Sequence, residues 1–284
     1  LHGAQAIEAL EAGKHVLSEI PMALTLEECA RIVALTDRGG LKYQLGNQVR
    51  YAFALQEVAR RIAAGDLGEI FYGEGEYLHG MDDIVRGRPA DHWRTRPGRP
   101  QTTLLGGGPH AIDTLRWLMG VRFVEAQAYH AAQRTPWGAP HTTVAILRAD
   151  NGAVAKVTVS YGMVRPYCLY YAVYGTAGSF ERTRDQRGPL DETINFLADD
   201  PGDARPRLTP VAVPNWANPA IPADERLGHG TMEIEQARDF LRAIREDREP
   251  RLGPREAARS IAAGICALRS AEQGGGPVAI PAFD

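Results

Sequence analysis

His110, Asp113 and Trp117 stand three and seven residues apart, a spacing that puts them on one face of a helix together with Thr114. Gly106-Gly107-Gly108 and Pro109 lead into that helix. An imidazole titrates near neutral pH, so His110 can take a proton from a substrate hydroxyl or return one to it. The position also suits a histidine that only caps or packs at a helix start. Other polar side chains can line the surroundings. His79 ends a strand pattern, His92-Trp93-Arg94 precedes the glycines, Tyr161 ends another strand pattern, and Arg50 with Tyr51 follows a third. A guanidinium such as that of Arg94 can hold a carboxylate or a set of hydroxyls. Each of these residues serves more readily in the framework or on the surface than in the chemistry. His130, His141 and His229 have no partner at a useful spacing. His79, Asp82, Asp83, His92 and His110 match no metal-ligand spacing, and no metal is expected.

The elements that must position these groups follow from periodicity. Residues 3–12 read as a helix closed by Gly13, and residues 15–20 as a short strand stopped by Pro21. Thr25-Leu26-Glu27-Glu28 is a capping-box pattern that opens a second helix ending at Gly39-Gly40, and residues 41–49 form a second strand pattern. An α-β-α-β order implies a parallel sheet. An amphipathic helix over 53–64 follows. After it come strand patterns at 69–78, 123–131, 142–147, 153–161 and 169–174, interrupted by the 110–118 helix. Asp150-Asn151-Gly152 marks a hairpin turn, so this second part reads as an antiparallel sheet. Residues 184–228, rich in Pro, Asp and Arg, read as a long loop. Two helices carry Ile234, Ala237, Leu241 and Ile244, and then Ile261, Ile265 and Leu268 behind Pro254; residues 278–280 read as an edge strand.

The 284 residues are 44% hydrophobic and 24% charged, with net charge -3, which allows a sizeable core in one large or two smaller domains. Without a Lys/Arg stripe, nucleic acid is not an expected partner. No apolar run is long enough to span a membrane, so none is expected as a partner either. Three distant cysteines, Cys29, Cys168 and Cys266, suggest neither disulfides nor zinc. Cys29 and Cys266 lie in apolar helical patterns, as small core residues do, and this suits a reducing cytoplasm. The N-terminal residues have no signal-peptide pattern. The sequence begins at Leu1, directly in a helical pattern, and reads as clipped at its front.

Four segments, in order, resemble the Gfo/Idh/MocA oxidoreductases. They are Ala12-Gly13-Lys14-His15-Val16-Leu17-Ser18-Glu19-Ile20-Pro21; Gly46-Asn47-Gln48-Val49-Arg50-Tyr51 with the helix ending Gly65-Asp66-Leu67-Gly68-Glu69-Ile70; Gly106 to Leu118; and Tyr174-Gly175-Thr176-Ala177-Gly178-Ser179-Phe180. The resemblance implies α/β plus α+β architecture. Residues 1–50 would be the C-terminal part of a Rossmann domain. Residues 51–284 would be a substrate and dimerisation domain built on a large open, mainly antiparallel sheet with helices on one face. It implies NAD or NADP as cofactor, with Glu19 meeting the nicotinamide ribose and Pro21 following a cis peptide bond. His110 would be the acid/base residue in hydride transfer to or from a sugar, cyclitol or related polyol. Trp93 and Arg94 stand where the family often has a Trp-Arg pair; with His79, Arg50 and Tyr161, placed by strand ends and the domain junction, they are the candidate substrate-binding residues. Pairing would occur through the sheet face. The family's first strand and glycine-rich phosphate turn have no counterpart here; they would account for roughly 70–90 residues, and a chain without them is expected to bind NAD(P) poorly.

Two departures bear on the chemistry. The family's lysine between Glu and Pro is Ile20, and its aspartate four residues before the histidine is Gly106. Neither residue can replace the charge, so the usual set is reduced to His110: either other residues substitute, or the chemistry differs, or activity is lost, and a lone His110 would lack its usual orienting partner. Two other activities stay open. One is a glycoside cleavage that uses bound NAD without net redox, as in some relatives. The other is an impaired fragment that serves as a dimerisation or ligand-binding module.

Overall fold

The computed structural model describes residues 1–81, 92–94, 96, 102–131, 140–182, 184, 194–198, 207–211, 220–222, 224 and 231–284. The chain opens with α1 (His2–Glu11), β1 (Val16–Glu19), α2 (Leu26–Gly39) and β2 (Tyr43–Gly46). Thr25 caps α2, accepting the Glu28 N–H at 3.1 Å, while the Glu28 carboxylate reaches back to the Leu24 N–H at 3.1 Å. β1 and β2 pair in parallel, with Glu19 opposite Gly46. The second strand is shorter than the sequence pattern suggests. It stops at Gly46, and Gln48–Tyr51 form a 3-10 turn that carries the chain sideways into α3 (Phe53–Ala63).

The rest is organised by one sheet. β3 (Ile70–Leu78) is followed by the short α4 (Thr103–Gly106) and by α5 (Gly108–Met119). Then come β4 (Phe123–His130), β5 (Thr142–Ala149), β6 (Val154–Ser160), β7 (Cys168–Gly175) and β8 (Gly178–Arg182). β9 (Ile194–Ala198), β10 (Arg207–Val211), α6 (Met232–Arg245), α7 (Pro254–Glu272) and β11 (Val278–Ala279) complete the described elements. Among the described residues the sheet has nine strands in the order β10-β9-β8-β7-β3-β6-β5-β4-β11. Only β3 and β6 run parallel; the other pairs are antiparallel. β9 and β10 correct the expectation of a structureless loop over 184–228. Their five-residue strands pair with each other, and β9 pairs with β8, so main-chain hydrogen bonds to a preformed edge supply what weak periodicity does not.

α5 and α7 cover one face of the sheet. Gly73 and Gly75 on β3 let α5 lie close: a Cβ on Gly73 would stand 2.8 Å from Met119 Sδ, and one on Gly75 2.9 Å from Leu115 Cδ1. α7 meets β4 through small buried residues, among them Ala262, Ala263 and Cys266 against Ala126 and Ala128. Ser270 Oγ accepts the Ala128 N–H at 2.9 Å. Among the described residues the other face is exposed over β4 and β5, while Leu78, Cys168, Tyr170 and Ala172 form a smaller buried cluster over β3 and β7. Lys156 lies between Ile146 and Glu74 in register, Val144 pairs with Tyr129, and the Tyr129 ring is 57% exposed.

α7 and the turn before it tie the first part of the chain to the second. The Leu45 N–H donates to Leu252 O at 3.0 Å, and Arg255 makes a two-pronged pair with Asp37 at 2.6 and 2.8 Å. All three cysteines are buried free thiols, Cys168 included. Burial, followed by the charge of Glu28, pushes the Cys29 thiol up to about 12. Among the described residues no helix is long and apolar enough to cross a membrane.

Candidate active site

α5 begins as its sequence suggests, with Pro109 in the first turn and Gly120 in the left-handed conformation closing it. Its N-terminus is wedged under β3. A Cβ on Gly107 would stand 2.3 Å from Tyr77 Cδ1, so only glycine leaves room for that ring. The Tyr77 ring in turn lies parallel to His110, with centroids 5.4 Å apart and planes 8° apart. Gly107→Ala should therefore drive Tyr77 off the imidazole and cost about 1–3 kcal/mol of stability. Thermal unfolding, together with the NMR shifts of the His110 ring protons, checks this; unchanged shifts would show that the ring accommodates the methyl.

Asp113, one turn along, has no exposed surface. Arg50 grips it with Nε at 2.7 Å and Nη2 at 2.8 Å. Ser260 Oγ donates to the same carboxylate at 2.7 Å and Asn47 Nδ2 at 3.1 Å. Arg116 stands 3.8 Å from Asp113 and pairs with Glu256 at 2.5 Å. Burial alone pushes the Asp113 carboxyl up. The charge and hydrogen bonds of Arg50, then Arg116 and Ser260, outweigh it, and the pKa lies below the usual carboxylate value. Asp113 is thus a buried anion bound to groups from α5, α7 and the turn after β2.

Asn47 connects this anion to His110. Its Nδ2 donates to Asp113 and, at 3.3 Å, to Pro109 O, while its Oδ1 lies 2.7 Å from His110 Nδ1. Asn47 directly follows Gly46, which pairs with Glu19; a Cβ on Gly46 would stand 3.4 Å from the Glu19 side-chain carboxyl carbon. The histidine, the end of β2 and the end of β1 therefore adjoin. The Ile20–Pro21 peptide bond is cis, as the resemblance implies. Glu19 is exposed, accepts the Ile20 N–H at 3.3 Å, and borders a hollow of about 220 Å³ with His2, Gln5 and Ser18.

The other expected site residues divide. His79 stacks on Tyr167 at 4.3 Å, and its Nδ1 lies 3.3 Å from Tyr77 Oη, in the aromatic group that includes the His110 ring. Burial, then the Arg94 charge, lowers the His79 pKa and favours the neutral ring. Arg94 lies over Trp93 at 4.1 Å, and its charge also acts on Tyr77 and Tyr161. Trp93 itself is largely exposed.

Arg50 and Tyr161, named as substrate-binding candidates, are both buried in the framework. Arg50 is engaged by Asp113, by Glu256 at 3.6 Å and by Arg251 O at 3.2 Å; its residual surface borders a hollow of about 260 Å³ with Trp117 and Arg251. Tyr161 is 1% exposed, and its hydroxyl accepts the Gly107 N–H at 2.7 Å. A buried guanidinium needs its counter-ion, and a buried phenol its hydrogen bond, before either can serve a ligand. The orienting place beside His110 is taken by Asn47. A polar residue directly after a buried strand inside the Gly46–Tyr51 segment was the available signal. Of the metal candidates, Asp82 and Asp83 lie outside the described residues, as does His229. Among the described residues no group of three metal-ligating side chains comes together.

The residues present suit the nicotinamide end of a dinucleotide. Glu19 sets an exposed carboxylate at the C-terminal end of β1, next to the end of β2, where parallel strands place ligands, and it can accept ribose hydroxyls.

Two family models match: an oxidoreductase family, NAD-binding Rossmann fold, over residues 1–47, and the GFO/IDH/MocA C-terminal domain over residues 55–181. Among curated proteins, a 1-carboxy-3-chloro-3,4-dihydroxycyclohexa-1,5-diene dehydrogenase of Comamonas testosteroni is 34% identical over 171 residues, 56% of this chain and 39% of that one. A levoglucosan dehydrogenase of Pseudarthrobacter phenanthrenivorans is 25% identical over 291 residues, 87% of this chain and 69% of that one. A glycosyl hydrolase family 109 protein of Shewanella baltica is 37% identical over 202 residues, 63% of this chain and 44% of that one. The matches thus span less than half the length of the first and third of these relatives. A solved levoglucosan dehydrogenase in complex with NADH superposes with a TM-score of 0.84 at 23% identity, covering 100% of this chain and 78% of that one, and it establishes the fold.

Proposed function

This chain belongs to the GFO/IDH/MocA family of oxidoreductases, and we propose that it is an NAD(P)-dependent dehydrogenase or reductase acting on a sugar, cyclitol or related polyol. The observation that carries the proposal is the His110 imidazole, held at one nitrogen by Asn47 beside the strand end that bears Glu19. A bound nicotinamide would accept or supply the hydride. Glu19 would hold its ribose, and the cis Ile20–Pro21 turn would shape the chain beside it. His110 would exchange a proton with the hydroxyl on the carbon that is oxidised. His79, Arg94 and Trp93 would hold the rest of the substrate, the guanidinium by hydrogen bonds to hydroxyls and the aromatic rings by stacking on its C–H face. The names of the two dehydrogenase relatives support a substrate of this class.

A panel of polyols and anhydrosugars incubated with NAD or NADP should give a rise in absorbance at the reduced nicotinamide band with at least one of them. A second activity is favoured by the family 109 glycosyl hydrolase relatives and by Ile20 and Gly106, which remove the usual lysine and aspartate. It is glycoside cleavage with no net redox, and a released sugar without change in the nicotinamide band would mark it. Residues 1–50 then serve the cofactor, and residues 51–284 the substrate and self-association. Tyr129, Val144 and Ile146 on the open sheet face suit a homodimer, and three buried free thiols suit the cytoplasm.

A further inference from the structure

We propose that Asn47 is a positioning residue that keeps neutral His110 in its Nδ1–H form and so makes Nε2 the nitrogen that exchanges the substrate proton. The inference rests on the dehydrogenase function proposed above, and the geometry carries it further. A primary amide has one acceptor end and one donor end. The nitrogen of Asn47 faces two atoms that can only accept, the Asp113 carboxylate at 3.1 Å and the Pro109 carbonyl at 3.3 Å. Turned over, the amide would set its oxygen against both with no hydrogen between them, in a buried site where such repulsion is poorly screened. Arg50 and Ser260 keep Asp113 anionic, so this choice does not relax.

The Asn47 oxygen therefore faces His110, and at 2.7 Å an oxygen that only accepts requires a hydrogen on Nδ1. In water a neutral imidazole prefers its proton on the other nitrogen, so the site selects the less populated form. Tyr77 fixes the plane of the ring by stacking on it, and Asn47 fixes its rotation within that plane. No carboxylate from α4 can do this, because position 106 is glycine. The orienting oxygen comes instead from the turn after β2, and the negative charge stands one residue further back, at Asp113. That charge polarises the amide and strengthens its oxygen as an acceptor.

The test is a two-bond ¹H–¹⁵N correlation spectrum of the full-length ¹⁵N-labelled chain, at a pH where His110 is neutral. Its signals are identified by their loss in His110→Asn. Nδ1 should resonate as a protonated nitrogen and Nε2 as a bare one; the reverse pattern overturns the proposal. In Asn47→Ala the pattern should move toward Nε2–H, and kcat should fall roughly 10²-fold with KM within about threefold. A variant that folds and keeps the wild-type kcat also overturns it. Should Asn47→Ala not fold, the wild-type spectrum alone decides. A chain shown to hold NAD(P) that still oxidises no polyol refutes the dehydrogenase function while leaving the tautomer measurement intact.

Discussion

Replacing His110 by asparagine lowers kcat for polyol oxidation by about 10²–10⁴-fold, the range that a positioned acid/base group contributes. Asparagine is the informative choice. Its amide nitrogen falls where Nδ1 lay and keeps the contact with Asn47 Oδ1, while the far side of the ring disappears. The buried network through Asn47 and Asp113 should then survive, and the thermal midpoint should stay within a few degrees of the parent, roughly the shift that one lost stacking contact with Tyr77 produces. Cofactor affinity, read by nicotinamide fluorescence, should hold within about threefold, because Glu19 and the Ile20–Pro21 turn are untouched. A variant that folds, binds cofactor and turns over at the parental rate would remove His110 from the chemistry.

Asp113→Ala is the second large effect, and it falls on stability. Arg50 would remain buried with its main counter-ion gone, and the loss of one partner from a buried ion pair costs about 3–5 kcal/mol. For a chain of this size that is a fall in thermal midpoint on the order of 10 °C. The double variant Asp113→Leu with Arg50→Met should be less destabilised than either single change, because no charge is left stranded. If Asp113→Ala unfolds at the parental temperature, the network contributes nothing. The same carboxylate gives a pH dependence with a definite sign. Its folded pKa lies below the ordinary value, so in acid the unfolded chain binds the proton first. The stabilisation is complete above about pH 4, near the unfolded aspartate pKa, and is lost as pH falls toward the folded value. Denaturant titrations at pH 7, 4 and 3 should show that decline in the parent, and a smaller one in the double variant.

How much of this was legible depended on whether partners were near in sequence. The helical spacing of His110 and Asp113 gave their shared face, and the Thr25–Glu28 box gave the start of α2. Both are local relations within one or two turns. Asn47 and His110 are separated by 63 positions, and Asp113 and Ser260 by 147, so no periodicity connects them. Arg50 illustrates the ambiguity. An arginine beside a strand end can grip a ligand or a buried carboxylate, and only the packing of α5 against the turn after β2 decides between them. β9 and β10 escaped notice because five-residue strands at a sheet border draw on main-chain pairing more than on alternating side chains. The strand pattern over 41–49 ran past Gly46 because Val49 is apolar enough to continue it; Val49 is buried in the turn instead.

The Asp113 anchor also sets a timetable for synthesis. Its partners Asn47 and Arg50 leave the ribosome first, but Ser260 follows 147 residues after Asp113, about 7–30 s at ordinary elongation rates. During that interval Asp113 has Arg50 and Asn47, but the Arg116 guanidinium waits without Ser260 and Glu256 beside the part of the sheet that α7 covers. A nascent chain stalled short of α7 thus displays apolar sheet and unmet charge together, the surface that holding chaperones retain.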